Sequence, residues 1–193
     1  MAIYQVLFNV DGNLSVGDDV SPWYICSAPY GITMLGISLA LKTPCSGIPI
    51  IIDIRWSSDG ITWASIFGEP YIFGAHDGPE NSPYLIDGDG PFTSDMEGHI
   101  IHRAYPHEAV GTIINVLSST TLQASFGDWD ISTEDQYLIA IAGGILPGEH
   151  FGIGGTPTVT TLAEGNLLRL DIEQCGVSPN PGADLTVSLR VRQ

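Results

Sequence analysis

Apolar and polar residues alternate singly through most of this chain. Near its end, Leu168, Leu170 and Ile172 alternate with Arg169, Asp171 and Glu173. Farther on, Leu185, Val187, Leu189 and Val191 alternate with Thr186, Ser188, Arg190 and Arg192. A period of two puts one set of side chains on each face, so both runs predict strands with one face buried and one wet. Between them lies Gly176–Gly182, with prolines at 179 and 181. Proline cannot donate to a ladder and glycine turns readily, so the segment predicts the loop of an antiparallel hairpin.

The same pattern recurs upstream. Tyr4, Val6, Phe8 and Val10 form a first strand, stopped by Asp11-Gly12-Asn13. A second is expected over 22–27 and a long one over 32–43. Ile50, Ile52, Ile54 and Trp56 then alternate with Ile51, Asp53, Arg55 and Ser57. The turn Ser58-Asp59-Gly60 leads into a returning strand over 61–67. Strands are also expected over 112–117, 121–126 and 136–142, with Gly143-Gly144 as a break and 152–155 as a flexible connection.

The stretch 68–111 differs. It holds Pro70, Pro79, Pro83, Pro91 and Pro106, with Asp-Gly pairs at 77, 87 and 89. It reads as a loop-rich insertion with short strands near 84–87 and 99–104. A loop of this length inside a compact domain is usually functional. Its large apolar groups, among them Tyr71, Phe73, Tyr84, Ile86, Phe92, Ile100 and Ile101, are too many for a solvated loop. They are expected to form an interaction surface. About ten strands with no helix predict an all-β chain: one jelly-roll-like antiparallel β-sandwich over 1–193, with the insertion at about 68–111.

Charge narrows the possible partners. Twenty-two acids against six bases give a formal net charge of −16. Binding to phosphates or an anionic membrane needs the opposite sign, so neither nucleic acid nor membrane is an expected partner. Cys26, Cys45 and Cys175 are odd in number and without paired spacing, which predicts buried free thiols rather than disulfides. The start of the chain lacks a basic region followed by an apolar one, and no run reaches the ~20 apolar residues of a membrane span. Synthesis and folding in a reducing cytoplasm is the expectation.

Two blocks resemble a known module. Leu162-Ala-Glu-Gly-Asn-Leu-Leu-Arg-Leu-Asp-Ile-Glu-Gln-Cys-Gly176 and Pro181-Gly-Ala-Asp-Leu-Thr-Val187 are similar to the C-terminal part of a β-sandwich module of tailed-bacteriophage virion proteins. There a segment like L-A-x-G-D-x-L-x-x-D-I-D-Q-V-G precedes P-G-S/A-D-L-T-V. This chain departs from it at Asn166 and at Cys175. The block Leu39–Phe67, LALKTPCSGIPIIIDIRWSSDGITWASIF, is similar to the upstream half of that pattern. The resemblance covers about half the chain and implies a class of protein, not a site.

Candidate chemistry is sparse. His99, His102 and His107 lie near Glu97 and Glu108, but H-E-x-x-H fails after His107-Glu108 and no cysteine completes a zinc set. Exposed loop histidines are the expectation. Asp87-Gly-Asp-Gly90 with Asp95 is similar to a calcium loop, but Pro91 breaks the EF-hand pattern, leaving acidic turns as the plainer reading. Trp56, Trp63, Trp129, Tyr71 and Tyr84 are aromatic enough for sugar stacking; Trp129, between two aspartates, is the best placed for glycan contact. The 152–156 glycines lack the lysine of a phosphate loop. No catalytic residue, metal or cofactor is predicted.

The resemblance implies a non-enzymatic virion protein: a capsid decoration (cement) or head-fibre protein on the outer surface of the particle. It would be assembled in the host cytoplasm as a homo-oligomer, a trimer by analogy, and would bind the major capsid protein or other virion proteins. Alternatives are a tail, baseplate or fibre protein of the same virion, and a carbohydrate-binding receptor-recognition module.

Overall fold

A computed structural model describes residues 2–68, 71–80, 82–90, 92–103, 110–125 and 135–193. Among them the chain forms sixteen strands. In order these are β1 (Ile3–Asn13), β2 (Tyr24–Ile25), β3 (Ile32–Thr43), β4 (Ile50–Ser57), β5 (Ala64–Ser65), β6 (Tyr71–Ala75), β7 (Leu85–Ile86) and β8 (Ile100–Arg103). There follow β9 (Val110–Ser118), β10 (Thr121–Ala124), β11 (Gln136–Ala140), β12 (Gly143–Ile145), β13 (Phe151–Gly154), β14 (Thr161–Leu162), β15 (Leu167–Gln174) and β16 (Ala183–Arg192). The only helical turn among the described residues is 3-10, at Ser94–Met96. All described pairings are antiparallel, so the chain is all-β as its alternation predicts.

The chain divides into two compact units: 1–70 with 142–193, and 71–141. The expectation of one domain with a loop-rich insertion over 68–111 differs from this. The insertion is the first part of a unit that runs on to Ile141 and has a sheet and apolar core of its own.

The first unit holds a ten-stranded sheet. Its path runs β1-β16-β3-β13-β12-β4-β15-β2, with β14 added to β3 and β5 to β4. Each half presents an apolar face. Phe8, Leu39, Val187 and Leu189 come from the β1-β16-β3 half, and Ile52, Ile54, Leu168, Leu170 and Ile172 from the β4-β15 half; all are buried. The result is sandwich-like.

The predicted terminal hairpin does not form. β15 pairs with β4, and β16 pairs with β1 and β3, so the two strands lie in different halves of the sheet. Alternation specifies which face a strand buries but not which neighbour it takes. The link between them passes close to the loop after β3. Ser46 N–H donates to Asn180 O, and a Cβ at Gly176 would lie 2.6 Å from that of Cys45. Gly143-Gly144, expected as a break, and 152–154 of the flexible connection expected over 152–155, lie on the ladder strands β12 and β13. Their glycines are needed there: a Cβ at Gly152 would collide with the carbonyl of Gly144 on the paired strand.

The second unit is a six-stranded sheet, β6-β11-β8-β9-β10-β7. Leu85, Phe92, Met96, Ile101, Ile113, Leu122, Tyr137 and Ile139 form its core. Tyr137 Oη donates to Asp87 Oδ2 at 2.7 Å inside that core. Gly74 lies over the pair, where any Cβ would collide with both groups.

Candidate functional site

On β4 and β15 the polar positions of the alternating pattern come together. Register places Asp171 opposite Asp53 and Arg169 opposite Arg55. Like charges directly opposite are unfavourable, and here the diagonals offset them. Arg55 Nε lies 3.1 Å from Asp53 Oδ2 and 3.0 Å from Asp171 Oδ2, and Arg55 Nη2 is 3.1 Å from Glu173 Oε1. Arg169 Nη2 lies 2.9 Å from Asp171 Oδ2 and 3.5 Å from Asp18 Oδ2.

Both aspartates are fully buried, although the alternation predicts a wet face. Two segments cover them. The stretch after β1 runs along β15, bridging Gly17 to Ile172, and the Asp19 N–H donates to Asp171 Oδ1 at 2.8 Å. From β5, Ser65 Oγ donates to Asp53 Oδ1 at 2.7 Å. Burial pushes the Asp53 carboxyl up to about 7, against the opposing pull of the Ser65 hydroxyl and the Arg55 guanidinium. Every carboxylate oxygen of Asp53 and Asp171 has a partner within the chain, so the network acts chemically as a clamp between β4, β15, β5 and the 14–21 segment.

Beside it, Trp63 packs edge-on to Trp23 with ring centroids 5.2 Å apart, and the Arg169 guanidinium carbon lies 4.8 Å over the Trp63 ring. One face of Trp63 is therefore occupied by a cation. Trp56 is half-buried opposite Leu168. Trp129, the sequence candidate for glycan contact, lies outside the described residues.

The interaction surface predicted in the insertion divides. Phe92 (2% exposed), Ile100 (6%) and Ile101 (0%) are buried, which corrects their assignment as surface contacts. Phe92 and Ile101 belong to the core cluster of their own unit, where the alternation of β8 and the turn after Asp87 bring them. Ile86 is half-buried on β7. Phe73 and Tyr84 are exposed, at 61% and 39%. Tyr71 lies on β6, and its side chain is outside the described set.

The acidic and histidine groups also move inward. Asp87 is buried, bonded to Tyr137 Oη and to the Asp89 N–H at 2.9 Å, while Asp77 accepts from the Gly88 N–H at 2.7 Å. These carboxylates build the turn. His99 is buried, not an exposed loop histidine, because it follows the helical turn into the start of β8. His102 is on β8 with its side chain outside the described set, and His107 lies outside the described residues. Among the described residues no three His, Cys, Asp or Glu side chains converge as a metal set.

One surface stands apart from this acidic background, and sequence reading missed it. The outer side chains of β1, β16, β3 and β13 register in rows: Ile3 with Arg192, Gln5 with Arg190 and Gly36, Leu7 with Ser188 and Ser38, Asn9 with Thr186, Ala40 and Phe151. Ile3, Leu7 and Phe151 are 63%, 55% and 76% exposed. β1 is also a sheet edge, pairing only with β16 among the described strands. The signal was available in the tetrad Ser188, Arg190, Arg192 and Gln5, but only once β16 is known to lie beside β1.

The chain matches no protein-family model, no curated protein and no solved structure.

Proposed function

We propose that this chain is a non-enzymatic structural protein of a tailed-phage virion: a capsid decoration (cement) or head-fibre protein that self-associates on the outer surface of the head and stabilises it. The observation that carries the reading is how the two resembling blocks meet. Leu39–Phe67 and Leu162–Val187 are more than ninety residues apart in the chain, yet β4 and β15 pair from Ser57–Leu167 to Ile51–Gln174, and β3 pairs with β16. The residues carrying the resemblance therefore fold as one continuous structural module. The Asp53–Arg55–Asp171 clamp lies within it and engages its charges internally, which suits a scaffold. Stabilisation would follow from mass action: a protein that binds only the assembled shell shifts the shell away from its opened states.

The experiment is add-back. Heads stripped of the protein are mixed with the purified chain, and sedimentation and heat resistance are read. Saturable rebinding with restored heat resistance supports a decoration role. Absence of rebinding, with the protein found only in tails of intact particles, supports the tail or baseplate alternative instead.

A further inference from the structure

The outer face of the β1-β16-β3-β13 half carries no acid in its four rows from Ile3 to Asn9, in a chain with 22 acids. Five of the chain's six bases have described side chains, and three of those are neutralised locally: Lys42 by Asp184 at 3.3 Å, and Arg55 and Arg169 within the clamp. The remaining two, Arg190 and Arg192, are exposed on this face and have no carboxylate partner among the described residues.

Arg190 also lines a groove of about 260 Å³ with Gln5, Gly36, Ile37, Ser38 and Ser188. The groove exists because β3 has no side chain at Gly36, where a Cβ would meet nothing within 4 Å. On its wall the Ser188 hydroxyl is covered and lacks a hydrogen-bond partner. A guanidinium, an exposed-side serine and an amide around this groove suit a carboxylate.

We infer that this face is a docking surface for a second copy of the chain, and that the groove receives an acidic side chain from a different face of that copy. The charge balance selects the occupant. At net −16 two copies repel, and charge favours contact only where one of them offers bases. The rest of the chain supplies acids in excess, whereas this face has none to offer in return. The face is not its own complement, so the contact is head-to-tail rather than two-fold, and a closing head-to-tail contact makes a ring. The free edge of β1 from Ile3 to Val10, which carries no charge, lies alongside and adds apolar contact through Ile3 and Leu7. The inference rests on the self-association in the proposed function but not on where in a virion the protein sits.

The test is light scattering on the full chain. At about 0.1 M salt the protein should be a closed oligomer. At about 1 M, where the screening length falls from about 10 Å to about 3 Å, its dissociation constant should rise at least tenfold. Arg190→Glu/Arg192→Glu should be monomeric with an unchanged circular dichroism spectrum. Mixed with wild type it should shrink the assemblies, because it can still insert an acid but cannot receive one. Arg190→Gln/Arg192→Gln, which adds no charge, should weaken assembly in the same direction. A wild-type monomer at low salt, assembly indifferent to salt, or double variants that assemble like wild type would each overturn the proposal. So would a monomer that binds polyglutamate but not itself. Failure of head add-back with intact salt-sensitive rings would leave this inference standing and remove only the location.

Discussion

Asp53 and Asp171 face each other across β4 and β15, both fully buried, and the Nε of one arginine, Arg55, lies within 3.1 Å of an oxygen of each. Asp171 also pairs with Arg169, so Asp53, which shares Arg55 with it, is the less compensated of the two. The Asp53 carboxyl is pushed up to about 7 by burial.

The pH dependence follows in sign. An unfolded aspartate titrates near 4. Between about pH 4 and about pH 7 the folded chain holds a proton on Asp53 that the unfolded chain has released. The associated stability is complete below the unfolded value and is lost as pH rises through the folded one. Urea unfolding of Asp53→Asn should therefore have a flatter slope than wild type between pH 5 and pH 8. At pH 8 the variant should be at least as stable as wild type, since it no longer buries an extra charge. Parallel slopes for the two proteins would contradict this.

Arg55 is the opposite case. Arg55→Met keeps the aliphatic stem but leaves Asp53, Asp171 and Glu173 without their shared cation. Removing one side of a buried ion pair costs about 3–5 kcal/mol. The loss should be larger at pH 8 than at pH 5, because Asp53 is protonated at the lower pH. Denaturation curves at the two pH values give the comparison.

In the second unit the corresponding lock is Tyr137 to Asp87. Tyr137→Phe removes the donor and leaves a buried carboxylate oxygen unsatisfied, at about 1–3 kcal/mol. Gly74→Ala should also destabilise, by steric collision with the same two groups. Protease resistance of 71–141, followed with temperature, reads both.

The thiols should separate kinetically. Cys26 and Cys45 are buried, and burial pushes the Cys45 thiol up, while Cys175 is only half-buried. A thiol reagent should modify Cys175 first in the native protein, with the other two following only on unfolding. Equal rates at all three would show that the strands around Cys26 and Cys45 open readily.

The alternation of single residues revealed the class of fold and the inward faces. Leu168, Leu170, Ile172, Leu185, Val187 and Leu189 are all buried as their period implies. It was silent on partners, which is why β15 and β16 looked like a hairpin although each pairs elsewhere. Glycine misled twice: 143–144 and 152–154 are ladder positions, not a break and a flexible connection, and at 152 and 154 a Cβ would meet neighbouring backbone. Proline density hid a sheet in 71–141, because its core residues, such as Phe92 and Leu122, lie on short strands and turns with no long run. The clamp had a readable trace, Asp53-x-Arg55 set against Arg169-x-Asp171. Its burial depends on the 14–21 segment and on Ser65, and no local pattern in β4 or β15 reports them.

The proposed place on the outside of a phage head is tested most directly by electron microscopy of intact particles labelled with an antibody raised against the folded chain. Label should be distributed over the head surface in a regular arrangement and be removed when the protein is stripped. Label confined to the tail or baseplate, or none on particles whose heads are intact, would contradict it.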